Sequence, residues 1–216
     1  MCLKVGIDTN NCATFLVRHL PVTTIFATHM SQLAIISASV RSGRKSHHVA
    51  LHLALKAKDK GHTVDMLDLS ELNFPVFEER LKFMEAPSGQ VVDYAERFRK
   101  ADGIIIVTPE YNGSFPASLK NVMDLLTEDW KGKPVSICTV SSGAFAGTQV
   151  MQQLLFPLWK IKAWVVPSSM QVPRVQEQFG PDGDVLMDTE GWERRTGTFL
   201  QDLEWAIEAR RRMAAT

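Results

Sequence analysis

At 216 residues, 45% of them apolar and 22% charged, the chain can bury one sizeable core and has the composition of an ordinary globular domain. Lys plus Arg balances Asp plus Glu at 24 each, so no bulk charge points to a nucleic-acid or acidic-membrane partner. No apolar run approaches the ~18 residues that span a bilayer, and Cys2, Cys12 and Cys138 show neither CxxC nor metal-ligand spacing.

Residues 1–30 carry no clean period, and Asp8 and Arg18 interrupt any stretch that a signal peptide would need. They read as a poorly ordered extension, with the compact domain spanning 31–216. Leu33 to Ala38 is a first strand. Helical spacing of Val49, Ala50, Leu53, Ala54 and Ala57 then predicts a helix from about Ser46, closed by Gly61. Thr63 to Leu67 is a second strand, and Ser70 to Ser88, with Pro75, Pro87 and three phenylalanines, is irregular. A helix from about Val91 to Ala101 leads into a third strand, Gly103 to Val107. Ala117 to Leu126 is helical, Pro134 to Val140 is a fourth strand, and a helix from about Thr148 to Leu158 precedes a fifth strand, Ile161 to Val166. Cys138, inside the fourth run, reads as a buried inert thiol, and a reducing cytoplasm fits the cysteine usage. Pro167 to Asp188 looks like loop, and a last amphipathic helix carries Trp192, Phe199, Leu203, Ala206 and Ile207 on one stripe.

Short Val/Ile-rich strands separated by helices predict a parallel sheet covered on both faces. Right-handed crossovers leave few topologies, and five strands suit the flavodoxin-like order 2-1-3-4-5, a three-layer α/β sandwich. In such sheets ligands sit at the carboxyl ends of the strands, so the loops after strands one, three and four carry the chemistry.

The first of these loops runs Ser37-Ala38-Ser39-Val40-Arg41-Ser42-Gly43-Arg44-Lys45-Ser46 into a helix. Hydroxyls, a glycine and cations at a helix N-terminus suit a phosphate, because free N–H groups and the helix dipole favour an anion. A capped, solvated helix start is the plainer alternative. Ala38 and Arg44 exclude a Walker A loop, a single glycine excludes a dinucleotide fingerprint, and the lack of a cysteine removes a thiolate phosphatase. The second loop, Pro109 to Asn121, places Asn112-Gly113 in a turn and Pro116 ahead of a helix. The third, Ser141 to Gly147, is small enough for a ligand to approach the backbone. Each loop alone is also what an ordinary strand-to-helix connection looks like; together they share one sheet edge.

Ser39-Val40-Arg41-Ser42-Gly43-Arg44 is similar to the GSxRxGR phosphate loop of the NADPH-dependent FMN reductase family, the flavodoxin-like group that includes quinone, chromate and azo-dye reductases. Pro109-Glu110-Tyr111-Asn112 through Lys120-Asn121 resembles that family's PEYNxSxPxxLKN signature. The resemblance covers about Gln32 to Val172. It implies FMN as cofactor, NADPH or NADH as co-substrate, and ping-pong hydride transfer through flavin N5 to a small acceptor such as a quinone, free flavin, azo dye or metal oxyanion. By the same resemblance Ser39, Arg41 and Ser46 hold the FMN phosphate. Pro109, Glu110, Tyr111, Asn112 and Gly113 border the isoalloxazine, and Ser142, Gly143 and Gly147 contact its far side or pyrimidine edge. No side chain need act as acid or base, and Glu110, in its turn, is expected in a solvated or structural role. Homodimers or homotetramers are implied as well, and the aromatics of Ser70 to Ser88 suit a place under the sheet edge or at an interface.

Ala38 departs from the family's first glycine and puts the tight turn there in question. His47 and His48, in the first helical turn, are expected to be exposed. Arg41, Arg44 and Lys45 form a cationic group able to recognise the 2′-phosphate of NADPH. Two rival readings stay open: an FMN-binding electron carrier that needs a partner reductase, and a domain that kept the fold without the cofactor.

Overall fold

The computed structural model describes residues 30–215; the expected N-terminal extension falls, apart from Met30, outside the described residues. β1 (Gln32–Ser37), β2 (Thr63–Asp68), β3 (Gly103–Pro109), β4 (Pro134–Val140) and β5 (Trp164–Val172) form one parallel sheet in the order β2-β1-β3-β4-β5. This is the flavodoxin-like arrangement that the element pattern predicts. The strand period of two sends Leu33 and Ile35 to one face and Ala34 and Ile36 to the other. On the first face they meet Val49 and Leu53 of α1 (Ser46–Asp59) and Trp192, Phe199 and Leu203 of α7 (Thr189–Ala214). On the second they meet Tyr94 and Phe98 of α3 (Gly89–Lys100), Val122 of α4 (Ala117–Leu125) and Leu154 of α5 (Thr148–Lys160). Covered on both sides, β3 and β4 are buried along their whole length, which is why their sequences read as continuous apolar runs. Cys138 lies within β4, fully buried and unpaired, and burial pushes its thiol well above the usual range.

β5 differs from its expected span. Residues 161–163 are the turn that ends α5, with Lys162 at a φ of 62°, so the strand begins only at Trp164. It then continues through Pro167 to Val172. Pairing of Val135 with Val165 and of Ile137 with Ser169 leaves Val166, Pro167 and Ser168 opposite Ser136 alone. That bulge on an edge strand absorbs a proline that a regular ladder would reject. The region after β5 is also more ordered than a loop: it holds the short helix α6 (Val175–Gln178) and a Phe179–Val185 bridge.

Within residues 70–88, the short helix α2 (Leu69–Leu72) and a 3₁₀ turn at Leu81–Phe83 flank irregular chain. Asn121 of α4 secures it: its Nδ2 donates to the Pro75 carbonyl at 2.6 Å and its Oδ1 accepts from the Phe77 N–H at 2.5 Å. Phe74 packs edge-on against Tyr94, with ring centroids 5.3 Å apart, while Phe83 stays exposed. Among the described residues no helix is long and apolar enough to cross a membrane.

Candidate functional site

The loops after β1, β3 and β4 meet at one edge of the sheet and frame a cleft lined by residues 41–46, Pro109, Glu110, Tyr111, Val140, Ser141, Ser142 and Val175. Arg41, Ser46, Pro109, Glu110, Tyr111 and Ser142 of the expected set therefore share one wall. Ser39, Asn112, Gly113, Gly143 and Gly147 belong to the same loops but do not line that cleft.

Ala38 continues the β1 ladder, its N–H donating to the Val107 carbonyl at 3.0 Å and its own carbonyl accepting from Ser118 Oγ at 2.6 Å. It is fully buried and lies outside the positive-φ region, so alanine replaces glycine here without backbone strain. Ser39 is also buried; its Oγ and the Tyr111 hydroxyl are 2.6 Å apart, and the Arg41 N–H approaches the same Oγ at 3.4 Å. The Arg41 guanidinium lies 5.4 Å from the Tyr111 ring centroid. One tyrosine thus ties the first loop to the second. α1 starts with neither a side-chain cap nor an acidic residue in its first turn. Ser46, its first residue, is buried with an Oγ that has no hydrogen-bond partner among the described residues.

In the second loop, Tyr111 and Ser114 exchange both backbone hydrogen bonds, at 2.8 and 3.1 Å, across Asn112 and Gly113. Both central residues have positive φ, 51° and 77°, the pattern for which Asn-Gly is suited. Glu110 reaches α5: one carboxylate oxygen accepts from the N–H groups of Gln149 at 3.1 Å and Val150 at 3.2 Å. The N-cap of α5 is Gly147, which has no side chain to offer, so Glu110 supplies the missing acceptor from forty residues upstream. Gly147 itself sits at a φ of 75°, where an added Cβ would lie 2.9 Å from Thr139 Cβ. Its role is to let the third loop close onto β4.

Several contributors went unseen in the sequence. Asp68, at the end of β2, is 2% exposed and takes both terminal nitrogens of Arg44, with Nη2 donating to Oδ2 at 2.5 Å. Arg44 also donates to the Ser39 carbonyl at 2.8 Å. Burial pushes the Asp68 carboxyl up, but the Arg44 hydrogen bonds, the Ser70 N–H and the nearby charges outweigh it and hold the group below its ordinary value. The only hint was an aspartate closing a strand. The chain after β5 packs against the third loop, with Arg174 N–H donating to the Gly143 carbonyl at 3.0 Å and Val175 N–H to the Ser141 carbonyl at 3.1 Å.

The histidines correct an expectation. His47 is half-buried, hydrogen-bonded through Nδ1 to Ser37 Oγ at 3.0 Å, and 3.5 Å from Asp68 Oδ2. Burial lowers its pKa despite that carboxylate. His48 is also half-buried and donates to the Phe179 carbonyl at 3.3 Å. His48 is drawn in by the chain after β5, which folds back over the start of α1, and His47 by Ser37 and Asp68 at the ends of β1 and β2. Arg41, Arg44, Lys45 and the two histidines line a shallow recess on the outer side of the first loop.

The model of the NADPH-dependent FMN reductase family matches residues 31–177, a span that includes all three loops. An NAD(P)H-dependent FMN reductase of Saccharomyces cerevisiae is 29% identical over 149 residues, covering 62% of this chain and 77% of its own. A quinone reductase of Escherichia coli is 35% identical over 127 residues, 57% of this chain and 66% of its own. A solved NAD(P)H:acceptor flavoenzyme of Paracoccus denitrificans shares the fold with a TM-score of 0.67 at 23% identity, over 83% of this chain and 98% of that one. A match that runs from the first strand to the chain behind the third loop is too extensive for a shared sheet alone, and the protein belongs to the NADPH-dependent FMN reductase family.

Proposed function

We propose that the protein is an NAD(P)H-dependent FMN reductase with quinone reductase activity, holding FMN across the carboxyl edge of β1, β3 and β4. The observation that carries this reading is the Ser46 hydroxyl, buried without a partner among the described residues where α1 begins with no side-chain cap. A buried polar group left unmade costs about 1–3 kcal/mol, and a phosphate oxygen accepts from such a hydroxyl. The positive end of the helix dipole at the start of α1 adds to the attraction for a dianion. The donor set fits the group.

In this reading Ser39, Arg41 and Ser46 hold the phosphate. Pro109, Glu110, Tyr111, Asn112 and Gly113 border the ring system, and Ser142, Gly143 and Gly147 shape its other side. The chemistry supplied by FMN when bound is acceptance of hydride from NAD(P)H at N5 and, in ping-pong order, its delivery to a small acceptor such as a quinone, free flavin, azo dye or metal oxyanion. The chain's own contribution is positional. The Tyr111–Ser39 contact locks the first two loops together, and Glu110 spends its carboxylate on α5 rather than on a proton in transit.

The reading extends to a homo-oligomer. Leu155, Phe156 and Trp159 are exposed on α5, with the Phe156 and Trp159 rings 6.0 Å apart, and Phe145 is exposed just ahead of it. An apolar ridge of this kind suits a second copy, and light scattering of the purified protein measures its mass directly.

The deciding experiment is anaerobic. The protein is loaded with FMN, its visible flavin absorbance is recorded, and NADPH or NADH is added, followed by a quinone. Bleaching by the nicotinamide and recovery with the quinone is the expected result. Bound flavin that stays oxidised identifies an electron carrier instead, and failure to bind FMN removes the reading altogether.

A further inference from the structure

We infer that Arg44 and Asp68 form a clamp that shapes the first loop for a phosphorylated flavin, with Arg44 acting on the loop rather than on the ligand. This rests on the proposed FMN site. By sequence, Arg41, Arg44 and Lys45 form one cationic group in one loop. The structure separates them. The Arg44 guanidinium is 16% exposed and its terminal nitrogens are committed, Nη1 to Asp68 Oδ1 and the Ser39 carbonyl, Nη2 to Asp68 Oδ2. A planar fork matched to a carboxylate is the strongest arrangement open to this pair, and lysine does not reproduce it. Arg41 and Lys45 are exposed.

Two consequences follow. Asp68 is a buried carboxylate directly beneath the loop proposed to receive a dianion, and Arg44 cancels its charge there. Without that cancellation the loop would face the phosphate with a buried anion at its back. The same guanidinium fixes the Ser39 carbonyl, and with it the residue whose hydroxyl meets Tyr111 and the Arg41 N–H. Asp68 and Arg44 are thus positioning residues. Ser70 N–H, donating to Asp68 Oδ1 at 3.0 Å, and His47 beside Oδ2 complete the carboxylate's surroundings.

The test compares FMN with riboflavin, which lacks the phosphate, by flavin fluorescence titration of wild type, Arg44→Met, Asp68→Asn and the double variant, with melting temperatures as a control for folding. Arg44→Met is expected to weaken FMN by about tenfold or more and riboflavin little. The double variant, which removes the stranded carboxylate as well, is expected to recover most of that loss. A direct phosphate contact by Arg44 predicts the reverse, a double variant as weak as Arg44→Met, and that result overturns the clamp. Equal losses for FMN and riboflavin also overturn it, because a general structural defect does not distinguish the two. Arg44→Lys is the milder second probe, expected to lie between wild type and Arg44→Met; FMN affinity equal to wild type would show that charge alone suffices and would refute the fork. A wild type that does not bind FMN overturns the site reading itself, whereas a wild type that binds FMN with no rescue in the double variant overturns only the clamp.

Discussion

Glu110→Ala separates a structural role for this carboxylate from a chemical one. Glu110 accepts from two backbone N–H groups of α5, a helix whose N-cap is glycine. Removing an N-cap acceptor costs about 0.5–2 kcal/mol, and loss of negative charge at a helix N-terminus about 0.3–1 kcal/mol. With two N–H groups released and no side-chain cap at Gly147, about 2 kcal/mol is expected for alanine. For a domain of this size that lowers Tm by about 4–8 °C. Glu110→Gln keeps a neutral acceptor and should lose about half as much. The assay pairs thermal melts followed by circular dichroism with steady-state turnover at saturating FMN and NADPH. Turnover is expected to stay within several-fold of wild type in both variants below their melting transitions. A glutamine variant with unchanged Tm but turnover reduced by about 10²-fold, the scale of general acid–base catalysis, would refute the capping role.

Gly147→Ala forces a Cβ into the left-handed region and to within 2.9 Å of Thr139 Cβ and 3.1 Å of Val150 Cγ1; a loss of about 2–4 kcal/mol is expected in urea denaturation, from backbone strain and overpacking together. His52 is buried, donating from Nδ1 to the Gly183 carbonyl at 3.1 Å and pairing through Nε2 with Thr196 Oγ1 at 3.0 Å, and burial lowers its pKa below 6.5. The unfolded chain therefore takes up the proton first as pH falls, so stability is full above 6.5 and declines through the lowered folded value. His47 has the same sign, so His52→Gln should shrink this decline in pH-dependent denaturation without abolishing it. Asn121→Ala removes both hydrogen bonds to residues 75–77; the Phe77 amide should exchange with deuterium at least about fivefold faster, given about 0.5–1.5 kcal/mol for each bond. Unchanged exchange there would show that packing of Phe74 alone holds the segment.

What the sequence determined by itself is local. The unbroken apolar runs within Gln32–Ser37, Gly103–Pro109 and Pro134–Val140 specify strands, because two-sided burial acts residue by residue. Asn112-Gly113 specifies its turn and Gly61, at a φ of 89°, its helix end, because both need backbone that other residues reach only with strain. Crossover handedness then carried these elements to the observed strand order, and the three loops to one edge. Other features were decided only by the tertiary structure, since they join residues far apart in the chain. Asp68 meets Arg44 because β2 lies beside β1, and Glu110 caps α5 because β3 lies beside β4. Pro167 enters a strand because an edge ladder tolerates a bulge; His48 is half-buried because residues after β5 fold over it, and His47 because β1 and β2 bring Ser37 and Asp68 to it. A periodic pattern records which way a side chain points. Which charge it meets there depends on the path of the whole chain.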